Sequence, residues 1–78
     1  MRVKIENQSP GLHPSEVVVG VKTTEGVECL VVHQRSIADN SLEIGYPISN
    51  ETNHYLIELP RETQSGAWRV WVAEDLVS

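Results

Sequence analysis

The sequence predicts an all-β fold of five or six short antiparallel strands, closed into a small barrel or stacked as a compact two-layer sheet. Three observations predict it. Valine is abundant and phenylalanine is absent, and β-branched side chains are stiff at χ1 and pack well on a pleated surface. Apolar and polar residues alternate with period two in one segment after another. Proline, glycine and Asx clusters separate those segments, and no stretch carries the pattern of a long helix.

The first strand is residues 2–6, where Val3 and Ile5 alternate with Arg2, Lys4 and Glu6. Asn7 to Ser15 holds Pro10, Gly11 and Pro14 and predicts a fixed surface loop. Residues 16–23 form the strongest strand, with Val17, Val19 and Val21 on one face and Val18, Gly20 and Lys22 on the other. Thr24-Glu25-Gly26 is a turn in which glycine is free to take positive φ. Residues 27–34 then return as the hairpin partner. Leu30 and Val32 are placed inside, because Glu28 and Gln34 would flank that row at its wet ends. Asp39-Asn40-Ser41 is a turn cluster, and Ser36 could cap a single helical turn before it.

Leu42 and Ile44 straddle Glu43 in a short strand, residues 42–45, ended by Tyr46-Pro47. Ser49 to Asn53 reads as a polar loop. Residues 54–59 alternate again, with Tyr55, Ile57 and Leu59 inward and Leu56 between His54 and Glu58 on the other side. Pro60 ends that strand, and residues 67–73 form the last clear one. No repeat, low-complexity stretch or domain boundary is visible, so residues 1–78 are read as a single β domain.

The segment Arg69-Val70-Trp71-Val72-Ala73-Glu74-Asp75-Leu76 resembles the strand, short turn and last strand that close many SH3-like barrels. The resemblance covers the C-terminal segment only and implies a small barrel. It implies no peptide groove, because Tyr46, Tyr55, Trp68 and Trp71 are spread along the chain rather than clustered.

Composition excludes several functions. The net charge is −5, and the six basic residues are scattered, so the electrostatic footprint of a nucleic-acid binder is missing. No apolar run approaches the length of a membrane span. The N-terminal Met1-Arg2-Val3-Lys4 has no apolar core of a signal peptide, which predicts a cytoplasmic setting. Cys29 is the only cysteine, so no intrachain disulfide can form.

Catalytic and metal-binding patterns fare no better. His13, His33 and His54 are spaced too widely for a local zinc signature and read as loop, strand-end and surface residues. Cys29 lies mid-strand between Glu28 and Leu30, without the cation that stabilises a thiolate. Glu25 with Glu28, Glu58 with Glu62, and Glu74 with Asp75 lie in or beside turns, where water keeps both carboxylates charged. No serine sits in a nucleophile elbow, and the glycines form no phosphate loop. The expectation is therefore a protein without cofactor or metal, for which the non-enzyme reading is preferred and an enzyme whose site forms only between protomers is the lesser alternative.

The tryptophans are more informative. In a regular strand Trp68 joins Val70 and Val72 on one face, while Trp71 joins Ala67, Arg69 and Ala73 on the other. Trp68 is therefore expected as the core anchor. Trp71 and Arg69, types enriched at interface hot spots, are expected on the wetter face. They form a candidate interaction surface with Val18 and Leu56. The alternatives for Trp71 are that it covers Gly20 or Val18 within its own sheet, or that a bulge in the strand brings both tryptophan rings inside. The expected function is a non-enzymatic protein-interaction or assembly module that binds a protein partner or itself. A small-molecule or regulatory subunit with a site between protomers is the alternative.

Overall fold

A computed structural model describes residues 1–78. It is all-β, with nine strands, two single 3₁₀ turns and no α-helix. In chain order the strands are β1 (Arg2–Lys4), β2 (Asn7–Pro10), β3 (Glu16–Thr23), β4 (Gly26–His33), β5 (Ile37–Ala38), β6 (Ser41–Glu43), β7 (Ser49–Glu51), β8 (His54–Glu58) and β9 (Arg69–Ala73). They form three antiparallel sheets, ordered β1-β6-β5, β2-β3-β4 and β7-β8-β9. None of the three closes into a barrel, and the arrangement fits the compact two-layer alternative. The shortest extent of the molecule is 17 Å, room for two sheets packed about 10 Å apart with side chains outside them.

The alternating segments became strands because each has one row to bury. On β3 the inward row is Val17, Val19 and Val21, and on β4 it is Leu30 and Val32, as expected. Ile57 and Leu59 face them from the β8 segment, and Val70 and Val72 from β9. Val3, Ile5, Leu42 and Ile44 complete one cluster of thirteen buried apolar residues. Tyr55 packs against that cluster but is only half-buried.

Turn chemistry sets the register. Gly26 takes φ 117° and closes the β3–β4 hairpin, where the Thr23 hydroxyl accepts from the Glu25 N–H at 3.1 Å and donates to the Gly26 carbonyl at 2.7 Å. Asp39 and Asn40 take φ 53° and 59°, the left-handed pair a two-residue hairpin of primed type requires. They join Ala38 to Ser41, which are opposite each other in the β5–β6 ladder. Ser36 ends a 3₁₀ turn at Gln34–Ser36 but does not cap it; the cap is His33, whose Nδ1 accepts from the Arg35 N–H at 3.3 Å.

Three strands lie where loops were expected. β2 falls inside the proline-containing loop, β5 in the turn region and β7 in the polar loop. Every residue of β2 and β7 is exposed, so they carry no apolar row. They are held by backbone hydrogen bonds to β3 and β8 alone.

Trp68 overturns its expectation. It is 51% exposed, not a core anchor. Its parity with Val70 and Val72 is correct, but β9 begins at Arg69, so the row ends before Trp68. The ring instead turns to the loop, where its Nε1–H donates to Glu62 Oε2 at 3.0 Å.

The strand pairing of the second half of the chain follows the pattern of the first. In the β3–β4 ladder Val17 faces Val32, Val18 faces Val31, Val19 faces Leu30 and Gly20 faces Cys29. In the β8–β9 ladder Tyr55 faces Val72, Leu56 faces Trp71, Ile57 faces Val70 and Glu58 faces Arg69. β2 flanks the first hairpin as β7 flanks the second. Among the residues matched by this pairing, identity holds only at Ser9/Ser49 and Val32/Val72, so the likeness is one of pairing pattern rather than of sequence.

Candidate interaction surface

The outer rows of the two hairpins carry the candidate residues. On β8 and β9, Leu56 lies directly opposite Trp71, a non-polar cross-strand pair on the face turned away from the core. Both side chains are half-buried. One step along, Arg69 faces Glu58, and their Nε–Oε2 distance is 3.1 Å. That ion pair is more than half exposed on both sides. It is screened by water and contributes little stability, but it holds the guanidinium beside the indole.

The turn between β3 and β4 borders this face. The Thr24 N–H donates to the Trp71 carbonyl at 3.0 Å, which covers part of the β9 edge. Between them opens a cleft of about 190 Å³ lined by Thr23, Glu25, Glu28, Ser65, Arg69 and Trp71. Trp71 does not cover Gly20: a Cβ there would meet Asn7 Oδ1 and Val27 Cγ1, both at 2.9 Å.

Val18 lies elsewhere. It is on the outer row of the other sheet, half-buried, opposite Ser9 on β2 and Val31 on β4. From Thr24, beside Trp71, it is six residues back along β3, about 20 Å of extended strand. Leu56, Arg69 and Trp71 are thus brought together, and Val18 is not.

A clamp shapes the loop from Pro60 to Ala67. The buried Thr63 hydroxyl donates to Glu28 Oε1 at 2.7 Å and accepts from the Ala67 N–H at 3.0 Å. The Ser65 hydroxyl donates to the same Glu28 oxygen. These two donors, Ser65 first and Thr63 second, hold the Glu28 carboxyl below its ordinary value against a smaller opposing effect of burial. The Gln64 N–H donates to the Cys29 carbonyl at 2.8 Å, and Arg61 reaches Glu16 at 3.5 Å. The loop is pinned along β4, and it presents Trp68 over an open groove of about 540 Å³ lined by Leu30, Val31, Pro60, Arg61, Thr63 and Trp68.

Sequence reasoning missed the exposed Tyr46, 86% accessible, which was read only as a strand-ending residue. Its neighbour Ile48 is also exposed, and the two share an open cleft with Tyr55. The signal available was an aromatic next to Pro47 with no alternating partner row.

The remaining polar residues have local roles. His54 Nδ1 lies 2.9 Å from the Thr52 carbonyl, and the His13 carbonyl accepts from the Glu16 N–H at 3.0 Å. Cys29 is half-buried on the outer row, opposite Gly20. No group of three His, Cys, Asp or Glu side chains converges as metal ligands would, and no helix is long and apolar enough to cross a membrane. Comparison with known proteins finds no family model, no curated protein and no solved structure that matches the chain.

Proposed function

We propose that the protein is a non-enzymatic interaction or assembly module and that its docking face is the outer face of β8–β9, with a second copy of the chain as the first partner to test. The observation that carries the reading is the Leu56–Trp71 pair with Arg69 beside it. Tryptophan and arginine are enriched among the few residues that dominate binding at protein interfaces, and here both are held by strand pairing rather than by a loop. A cytoplasmic setting belongs to the same reading, supported by a single cysteine that has no intrachain mate.

The test is Trp71→Ala, followed by light scattering over a concentration series and by a thermal melt. On this reading the wild type associates, and the variant stays folded but loses association. A variant whose melting temperature falls while its assembly state is unchanged would place Trp71 in intrasheet packing and remove the reading. A wild type that stays monomeric at every accessible concentration would leave a different protein as the partner.

A further inference from the structure

The duplicated hairpins are joined by a ladder that is itself symmetric. In β1–β6, Val3 faces Leu42, with Arg2 opposite Glu43 and Lys4 opposite Ser41. In the retraced halves Arg2 corresponds to Ser41, Val3 to Leu42 and Lys4 to Glu43. Exchanging the halves therefore maps this ladder onto itself, the signature of a two-fold axis and an isologous contact.

The flanks obey the same exchange. Ile37 faces Leu42 in β5–β6, and its counterpart Val77 bridges Val3. Ala38 faces Ser41, and Ser78 exchanges two backbone hydrogen bonds with Arg2, at 2.8 and 2.9 Å. The Ile5 N–H donates to the Asn40 carbonyl at 2.9 Å, and the Ile44 N–H donates to the Met1 carbonyl at 2.8 Å. The two 3₁₀ turns match as well. They leave His33 at φ −69°, ψ 136° and Ala73 at φ −64°, ψ 141°. The Gln34 N–H donates to the Ser15 carbonyl at 2.8 Å, and the Glu74 N–H to the Asn53 carbonyl at 2.9 Å.

Burial follows the exchange too. Val3 and Leu42, Ile5 and Ile44, Val19 and Ile57, Val21 and Leu59, Leu30 and Val70, and Val32 and Val72 are buried pair by pair. The one unpaired member of the cluster is Val17, whose counterpart Tyr55 packs against it half-buried.

Neither half is complete by itself. β1 finds its partners only in the second half, at β6 and Val77. β5 pairs only with β6. Separated, each half would keep a three-stranded sheet with its inner row bare, and such a sheet needs a covered face to be stable.

We infer that residues 1–39 and 40–78 are two copies of one self-complementary unit, so that the chain is a homodimer fused into a single polypeptide. Each half is the docking surface for the other, and the fusing link is the two-residue turn Asp39-Asn40. This inference is independent of the interaction reading above, and either can fail without the other.

The test is a circular permutant of the full chain. It runs from Asn40 to Ser78, then through an Asn-Gly turn in place of Met1, then from Arg2 to Asp39. If Ser78 and Arg2 are the equivalents of Ala38 and Ser41, a two-residue primed turn closes them without strain. The permutant should then fold with the parent's far-UV spectrum and mass, and melt within about 8 °C of it. A control permutant carries the same Asn-Gly link but opens between Thr24 and Glu25. If the control folds and the first does not, the Asp39-Asn40 link is indispensable and the inference is overturned. If neither folds, Ser78 and Arg2 do not stand in the register of the turn, and it is overturned as well.

Discussion

Two leucines of the same chemistry should respond to truncation in opposite ways. Leu42 is fully buried, with Val3 on one side of it in the ladder and Ile37 on the other. Leu12 is 99% exposed on the loop after β2. Truncating a buried leucine to alanine costs about 2–5 kcal/mol, the upper part of that range where the surroundings cannot collapse. Leu42, from the second half, sits between β1 and β5 of the first, so these strands cannot close the gap without breaking the register of the ladder. We expect about 3–5 kcal/mol for Leu42→Ala. A domain of this size has roughly 4–12 kcal/mol in total, so the variant loses a large share of its stability. At about 4–8 °C per kcal/mol its melting temperature falls by more than 10 °C. Leu12→Ala should stay within about 0.5 kcal/mol of the parent. Urea unfolding followed by tryptophan fluorescence measures both. A Leu42→Ala midpoint indistinguishable from that of Leu12→Ala would refute the placement of Leu42 on the axis between the halves.

Other outcomes follow from particular contacts. Trp68→Ala removes an exposed ring and its bond to Glu62, so its melting temperature should change little, on the scale of about 0.5 kcal/mol for surface sites; a fall as large as that of Leu42→Ala would show that the ring is buried. Gly20→Ala puts a methyl 2.9 Å from Asn7 Oδ1 and Val27 Cγ1, side-chain ends of two exposed residues that can swing aside, and should change stability by less than about 1 kcal/mol, read by the same urea titration. The depressed Glu28 carboxyl has a signed pH effect: the contribution of the clamp is present above the unfolded value near 4.5 and is lost as pH falls through the lower folded value. Amide exchange at Ala67 and Gln64, followed by NMR, should accelerate below that range in the wild type, and Glu28→Gln should lose this acid step.

What could be read in advance was what an apolar row records. Glu16–Thr23 was delimited to the residue, and Leu30 and Val32 were placed inward, because in those segments one face is wet and the other dry. β2 and β7 left no such record: Gln8, Ser9, Asn50 and Glu51 are all exposed, and only their backbones pair. Trp68 was misplaced because alternation says which face a side chain lies on, not where the sheet stops. Of the candidate surface, the outward parity of Leu56, Arg69 and Trp71 was legible, and with it the adjacency of Arg69 and Trp71 along one strand; the pairing of Leu56 opposite Trp71 was not. That Val18 belongs to the other sheet was not, since period two carries no information about which strand is a neighbour. The duplication was hidden because a buried row constrains volume and polarity rather than identity, and Val19/Ile57 or Val21/Leu59 satisfy it equally well.

The pairing of Val3 with Leu42 and Val77 sets an order of events during synthesis. The β2-β3-β4 sheet can form once His33 has left the ribosome, while β1, although it precedes that sheet in the chain, still has nothing to pair with. Its first flank arrives with Leu42 and its second only with Val77. At about 5–20 residues per second, roughly 2–7 s separate Leu42 from Val77, and through them the ladder stays half-built, with Val3 on its open edge. Premature termination before Val77 would therefore be felt at the opposite end of the sequence, as an N-terminal strand left permanently without its second neighbour.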